Sequence, residues 1–399
     1  MASVSTPLVD VTAPPRVSWW RGPRFLVEVF DGADEALAAL EAVQGGLNTQ
    51  ATLSSSGFQS LNWMTVLYEE LASAKRAMPR LVVVTERNSG EVAMILPLIV
   101  KKKRTLRIAR FADFGVTDYG APILGPALLN KRRSMRRAWR AVRYAMRDVD
   151  MIRLEKMPED IAGRPNPLLS RAGVAPSRFT GNVVELTGSV EDYIARLDDA
   201  FWQSLERFNK FWDRKSPPRF FRATTPDEVA RAYAALDEQQ SSGDDVFGNR
   251  SAIEDPVVRQ FYERLVMDTT EVELGFLFTL EAGGEAIATL FGIQHGGTFT
   301  LLRMSSREGR WGELAPGRMI CIEAMKYFVA LGVRRFDFGL RAHPFKRSFG
   351  ATEVPLYDLI VARDLAAVPR ATFHRVKGRA RKNQRLRRFF RRIMRLRSG

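Results

Sequence analysis

One order of elements occurs twice in this chain, and that repetition constrains the fold more than any single motif does. In the first half, the strands LVVVTE and VAMILPLIV flank RNSG, a turn sequence that predicts a hairpin. A basic helix (SMRRAWRAVRYAMRDV) and the strand MIRLEKM follow. In the second half, LGFLFTL and EAIATLFGIQ flank EAGG. The strand TFTLLRMSS, the helix GRMICIEAMKYFVAL and the strand RRFDFGL then repeat the order. Gly90 and Gly284 lie 194 residues apart, the helix starts near Lys131 and Pro316 lie 185 apart, and the strands near Met151 and Arg334 lie 183 apart. Common elements also recur by chance. Offsets this constant favour two copies of one α/β unit with mixed sheets.

A length of 399 residues accommodates two such domains. Residues 1–23 are rich in Pro, Ser and Thr without periodicity and are expected to be a flexible lead-in. The stretch IAGRPNPLL reads as the boundary, which gives domains over 24–165 and 175–365 and a separate tail over 366–399. Single helices are expected over FQSLNWMTVLYEELASA and from about Val190 to Trp212.

Hydrophobic residues make up 45% of the chain and aromatic residues 10%, which excludes a mostly disordered protein. The longest apolar run, Val92 to Val100, is interrupted by Pro97 and falls far short of the roughly 20 residues that span a bilayer. The N-terminus lacks the basic-then-apolar order of a secretion signal. Cys321 stands alone, so no internal disulfide forms, and the expected compartment is the cytoplasm. No Cys/His spacing suggests a metal site.

The formal charge of +16 resembles a nucleic-acid signal until it is located. Of 61 Lys and Arg, 13 fall at or after Arg370, and no Asp or Glu follows Asp364. The remaining 48 basic residues face 45 acidic ones, so the body is nearly neutral.

Two segments carry candidate chemistry. The loop REGRWGELAPGR joins a strand to a helix, and a helix N-terminus offers unpaired N–H groups and a positive dipole end to a phosphate. Gly312 and Gly317 permit close backbone approach, Pro316 suits a first turn, and Arg310 and Arg318 add charge. The equivalent first-half loop, DYGAPILGPALLNKRRS, has no comparable Gly-Arg step, so a donor site belongs in the second half. Cys321 shares an apolar stripe with Ala324, Met325 and Phe328 and reads as core, not nucleophile.

The second segment is FDFGLRAHPFKRSFGA. Asp337 lies in a strand whose end can border a ligand crevice, and Arg341, His343 and Lys346 follow in a turn. A Lys near an acyl carbonyl stabilises developing negative charge, and an Asp positions or deprotonates an ammonium. Asp337, Lys346 and His343 are therefore the expected catalytic residues. The plain alternative is a surface Asp–Arg cluster with His343 capping the turn. His295 reads as structural, and His374 belongs to the tail.

The Pro-Gly-Arg loop, its helix and FDFGLRAHPFKRSFGA together resemble the tandem acyltransferases of the GNAT superfamily, in particular the CelD-like group of cellulose or exopolysaccharide acetyltransferases. The last segment is also similar to a Lys-containing motif of Fem-type peptidoglycan aminoacyltransferases. The resemblance implies two GNAT-like domains, the second catalytic. It implies acyl-CoA binding with the diphosphate over Gly312 to Arg318, and acyl transfer to an amine or sugar hydroxyl. Backbone amides of the splayed strands LFGIQHG and TFTLLRMS would polarise the thioester carbonyl. The helix QSLERFNKFWDR resembles the basic helix before the acceptor region, which points to Arg207, Asn209 and Lys210, with Arg303 and Arg341, as acceptor-side residues. A solvated helical face is the alternative for the first three. Glu285 falls in a hairpin turn, leaving Asp337 or solvent to take the proton. A Fem-like aminoacyl-tRNA donor and a non-catalytic scaffold of polysaccharide synthesis are the rival functions.

The tail is a separate matter. Leu386, Phe389, Phe390, Ile393 and Met394 recur at helical spacing, with arginines between them. Such a basic amphipathic helix docks on the protein body, on an anionic membrane or on nucleic acid. The Phe-rich stripe favours lipid or protein over nucleic acid, and a peripheral place on the inner membrane is the resulting expectation.

Overall fold

Alternation of buried and half-buried residues along FLVEVFD turns Phe25, Val27 and Val29 inward, as a strand with one covered face requires. The same logic runs through a computed structural model of the chain, which describes residues 18–44, 53–127, 129, 131–212, 217–242, 255–267 and 274–380. The described residues form two compact units, one up to Pro176 together with the chain from Tyr357 onward, the other Ser177–Leu356.

The first unit contains β1 (Ser18–Arg21), β2 (Phe25–Asp31), α1 (Ala33–Gln44), α2 (Leu61–Val66), β3 (Met78–Glu86), β4 (Val92–Lys103), β5 (Leu106–Phe111), β6 (Ile123–Leu124), α3 (Arg132–Ala145) and β7 (Met151–Pro158). The short pair β8 (Asp160–Ile161) and β9 (Arg164–Pro165) follows. Strands β1 to β5 pair antiparallel in chain order, and β5 pairs parallel with β7. Helix α3 buries Met135, Ala138, Trp139 and Val142 against Val27, Val82, Leu96 and Ile152.

The chain enters the second unit along β10 (Val174–Glu185). There follow α4 (Val190–Ile194), α5 (Asp199–Trp212), β11 (Arg219–Arg222), α6 (Pro226–Ser242), α7 (Pro256–Met267), β12 (Gly275–Ala282), β13 (Glu285–His295), β14 (Thr298–Ser306), α8 (Pro316–Ala330), β15 (Arg335–Leu340) and α9 (Pro344–Ser348). Strand order is β10-β15-β14-β13-β12-β11, with only β14 and β15 parallel among these pairs. Helix α8 covers one face through Phe328, whose ring stacks on Phe299 at 4.1 Å. Phe291 points to the other face and meets Tyr233 of α6 and Tyr262 of α7.

Each unit thus contains a hairpin, a third strand, a helix and a parallel strand, the duplication expected from the offsets. Several boundaries differ. Residues 18–21 of the expected lead-in pair with β2. The segment from residue 57 to 72 is a 3₁₀ turn, an α-helix and a π-helical turn in succession instead of one helix. The expected helix over 190–212 breaks before Asp198, whose carboxylate accepts the Phe201 N–H at 2.8 Å and starts α5 afresh. From Tyr357, strand β16 (Thr352–Ala362) continues into the first unit instead of closing the second. Helix α10 (Val368–Ala380) belongs there too, with Ala367 and Ala371 packed near Ile108, Met151 and Ile360. The apolar stripe from Leu386 to Met394 lies outside the described residues.

Candidate active site

Strands β14 and β15 pair in parallel over three positions, Thr298↔Arg335, Phe299↔Phe336 and Thr300↔Asp337, and then part. From Leu301 the edge of β14 that faced β15 has no strand partner among the described residues. The cause is local. On its other edge, Leu301 pairs with Gly292 and Arg303 with Phe291, so Leu302 is the extra residue of a β-bulge. A bulge increases twist and turns the strand away from its neighbour. Gly292 is needed opposite it, because a Cβ there would collide with the Phe299 ring and the Thr300 carbonyl.

The diverging end of β15 is held by three buried polar side chains. Asp337, 5% exposed, accepts the N–H of Gly339 at 2.7 Å, and Gly339 takes a positive φ of 70°. Asn182, 1% exposed, donates to the carbonyls of Gly339 and Arg341 at 2.8 and 2.9 Å. Lys346, 0% exposed, donates to the Leu340 carbonyl at 2.6 Å. The sequence candidates Asp337 and Lys346 therefore do meet at one strand end, engaged with backbone. His343 caps α9, its Nδ1 accepting the Phe345 N–H at 3.2 Å. Arg341 is exposed over the ring of Phe179.

Beside the free end of β14 lies the start of α8. The expected loop is a 3₁₀ turn over Gly309–Leu314, closed by Ala315 in the left-handed region. A Cβ on Gly317 would stand 3.2 Å from Ser306 Oγ and 3.3 Å from Met304 Cε, so the helix's first turn abuts the strand. Pro316 is buried as the first helical residue, and Arg318 lies over the Phe201 ring. Gly312 faces open space. Arg310 pairs with Glu285 at 2.5 Å, and Trp311 donates to the same carboxylate while stacking on Trp212. The Trp311 hydrogen bond and then Arg310 hold the Glu285 carboxyl below its ordinary value, so it is poorly suited to act as a base. Burial pushes the Cys321 thiol well above its usual range, 3.4 Å from Met304 Sδ.

The remaining candidates lie elsewhere. Arg207, Asn209 and Lys210 are exposed on α5, with Lys210 bonded to Glu206. Arg303 is 1% exposed and stacks over Tyr262 on the α6/α7 face, to which the bulge turns it. Its Nε and Nη2 have no hydrogen-bond partner among the described residues.

The first unit makes the same divergence, since β5 and β7 pair only at Ile108↔Met151, Ala109↔Ile152 and Arg110↔Arg153. There the gap is filled by the chain itself. A Cβ on Gly120 would lie 2.5 Å from the Glu155 carbonyl and 2.7 Å from the Phe111 ring. Behind it Lys156 pairs with Asp113 at 2.9 Å and donates to the Thr117 carbonyl. Burial opposes the Asp113 charge, but Lys156, Arg110 and the Gly115 N–H together hold its carboxyl below the ordinary value.

Residues 200–347, which span the divergent strands and α8, match the family model of the acetyltransferase (GNAT) domain. The second unit carries a GNAT acyltransferase domain. No curated protein matches the chain. Among solved structures, FemX superposes with a TM-score of 0.55 at 11% identity, covering 84% of this chain and 98% of FemX. A conserved protein of unknown function from Bacteroides thetaiotaomicron gives 0.51 at 9% identity, covering 82% and 97%. A tandem GNAT protein from the clavulanic acid biosynthesis pathway gives 0.43 at 15% identity, covering 84% and 98%. The first two likenesses extend over both units and concern the fold. Among the described residues, no His, Cys, Asp or Glu cluster could hold a metal, and no helix is long and apolar enough to cross a membrane.

The bulge at Leu302 and the role of Asn182 escaped sequence reasoning. Gly292 within a strand pattern was the available signal for the bulge.

Proposed function

We propose that the GNAT domain transfers an acyl group from acyl-CoA to an amine or sugar hydroxyl. The observation that supports this best is the parting of β14 from β15 beside the first turn of α8. The free edge of β14 beyond Thr300 supplies backbone groups for the pantetheine arm, and the backbone around Leu302 is assigned to the thioester carbonyl. The N–H group at Gly317 in the first turn of α8, with the Arg310 and Arg318 side-chain charges nearby and Gly312 open to solvent, is assigned to the diphosphate. When bound, acyl-CoA supplies an activated acyl carbon. The chain's part is to bind it, orient it and keep the strands apart.

Asp337 and Lys346 act in this reading as positioning residues that fix the rim of the cleft, with His343 ordering the turn behind them. No side chain is placed as an obligatory base, and the acceptor's proton passes to water. With Cys321 buried, transfer is direct within a ternary complex. Arg303, whose buried guanidinium has two unpaired donors, is assigned to an anionic group on the acceptor. Arg207, Asn209, Lys210 and Arg341 are exposed cations and amides for its outer part. A role in exopolysaccharide or envelope synthesis follows from the CelD-like resemblance alone.

The fold shared with FemX and the Phe345-Lys346 to Phe349-Gly350 segment keep aminoacyl-tRNA as a second donor. Calorimetric titration with acetyl-CoA and CoA tests the first reading. Binding to neither, together with RNA co-purifying with the protein, favours the second; binding to neither without RNA favours a scaffold.

A further inference from the structure

The charge on α3 works against the helix that carries it. Lys131, Arg132, Arg133, Arg136, Arg137, Arg140, Arg143 and Arg147 are exposed, and no Asp or Glu occurs between Lys131 and Arg147. Among the described residues none of the eight makes an ion pair. Arg132 and Arg136, Arg133 and Arg137, and Arg136 and Arg140 are like-charged i,i+4 neighbours within the helix, each pair destabilising. Lys131, Arg132 and Arg133 also sit at the N-terminal end, where the helix dipole disfavours cations. A face that only needed to be wet would alternate signs.

Other segments extend the field. Burial, with Arg136 and Arg132 close by, pulls the Arg171 guanidinium below its usual value, and burial with Arg143 does the same to Arg363 against the opposing pull of Asp148. A recess of about 650 Å3 lined by Arg24, Arg137, Arg140, Glu86 and Asn88 opens beside the helix.

We propose that α3, with Arg171 and Arg363, is an electrostatic docking surface for an anionic lipid bilayer. At 100° per residue the arginines from Arg132 to Arg143 fan over about 140° of the helix circumference and about 16 Å of its length. Together with residues from two other segments they make a two-dimensional field, not a track. The exposed face of α3 itself has no Asn or Gln to read bases, and its one large exposed ring is Tyr144, 52% exposed beside Arg147, a residue suited to headgroup depth. Single-stranded nucleic acid calls instead for a groove with successive stacking aromatics. The recess is of a size to receive a phosphate headgroup between Arg137 and Arg140. The Phe-rich pattern from Leu386 to Met394 would add an apolar signal to this electrostatic one, and stable anchoring generally takes two.

The test uses the full chain and phosphatidylcholine vesicles with and without one-third phosphatidylglycerol. Sedimentation with the phosphatidylglycerol vesicles is expected at low salt, with release at high salt. Replacing Arg133, Arg136, Arg137 and Arg140 together by Gln is expected to weaken vesicle binding at least roughly tenfold, with the circular dichroism spectrum unchanged and the melting temperature equal or higher. Replacing the same four by Lys is expected to retain binding. Undiminished binding by the Gln variant would assign lipid affinity to the tail and overturn the proposal. So would failure of the wild-type chain to bind, or arginine-dependent binding of single-stranded RNA without vesicle binding at the same salt.

Discussion

The ammonium of Lys346 donates to the carbonyl of Leu340 at 2.6 Å, without exposure to solvent, and so ties α9 to the last residue of β15. Removing the donor breaks a part-buried hydrogen bond from a charged group, a loss of about 1.5–3 kcal/mol. Lys346→Met should therefore lower the melting temperature and kcat together, measured by thermal denaturation and steady-state transfer. A fall in kcat with stability untouched would instead make Lys346 a direct catalytic group.

Asp337 offers a cleaner separation. Asn can still accept the Gly339 N–H, whereas Ala cannot. Asp337→Asn is expected to keep most activity with an unchanged pH profile, and Asp337→Ala to lose about 1–3 kcal/mol of stability along with activity. An Asn variant that folds but is inactive would show that the negative charge itself is required.

Gly317 stands against Met304 and Ser306, where the two branches of a valine would have to displace both. Gly317→Val should weaken acetyl-CoA binding by about tenfold or more, on the order of 1.4 kcal/mol, with little change in far-ultraviolet dichroism. Calorimetry on folded protein checks it.

The filled gap of the first unit makes a pH prediction. The folded-state pKa of Asp113 lies below its ordinary 3.8, so the carboxylate stabilises the fold fully above that value. That contribution is lost as pH falls through the lower folded-state value. Asp113→Asn, which removes the Asp113–Lys156 ion pair, should cost about 1–3 kcal/mol near neutrality and flatten the acid limb of the stability curve. Urea unfolding at neutral and acid pH measures both effects.

Arg303 should behave in the opposite sense. Two of its donors are buried without partners, and the nearby Asp237 carboxylate is already paired with Arg259 at 3.1 Å. Arg303→Met is expected to leave stability unchanged or raise it by on the order of 1 kcal/mol, while lowering acceptor affinity. A clear fall in melting temperature would mark the arginine as structural.

What the sequence made legible was periodicity at long range. The hairpins at Gly90 and Gly284, the helices after Lys131 and at Pro316, and the strands at Met151 and Arg335 appear as expected, because alternation and helical spacing record which face is buried. The cleft was only half legible. Pro316 and Gly317 announced the helix start, but the parting of the strands depends on one extra residue, Leu302, and a register shift leaves no compositional trace. FKRSFG reads as a surface turn, yet α9 folds Lys346 inward because Phe345 and Phe349 pack on Phe338 and bring the strand's last carbonyl within reach. Arg207, Asn209 and Lys210 lie on the solvent face of α5, where residue type alone does not separate an acceptor surface from a solvated one. In the first unit, DYGAPILGP reads as an ordinary loop. Only the close approach of Gly120 to Phe111 and Glu155 shows that it occupies the gap.

The difference between an open second cleft and a filled first one is tested most directly by the stoichiometry of acetyl-CoA binding to the full chain. One molecule per chain is expected, with the heat lost in Gly317→Val and retained in Asp113→Asn at a temperature where that variant is folded. Two molecules per chain, or binding indifferent to Gly317→Val, would contradict the assignment of the donor site to the opening beyond the Thr300↔Asp337 pair.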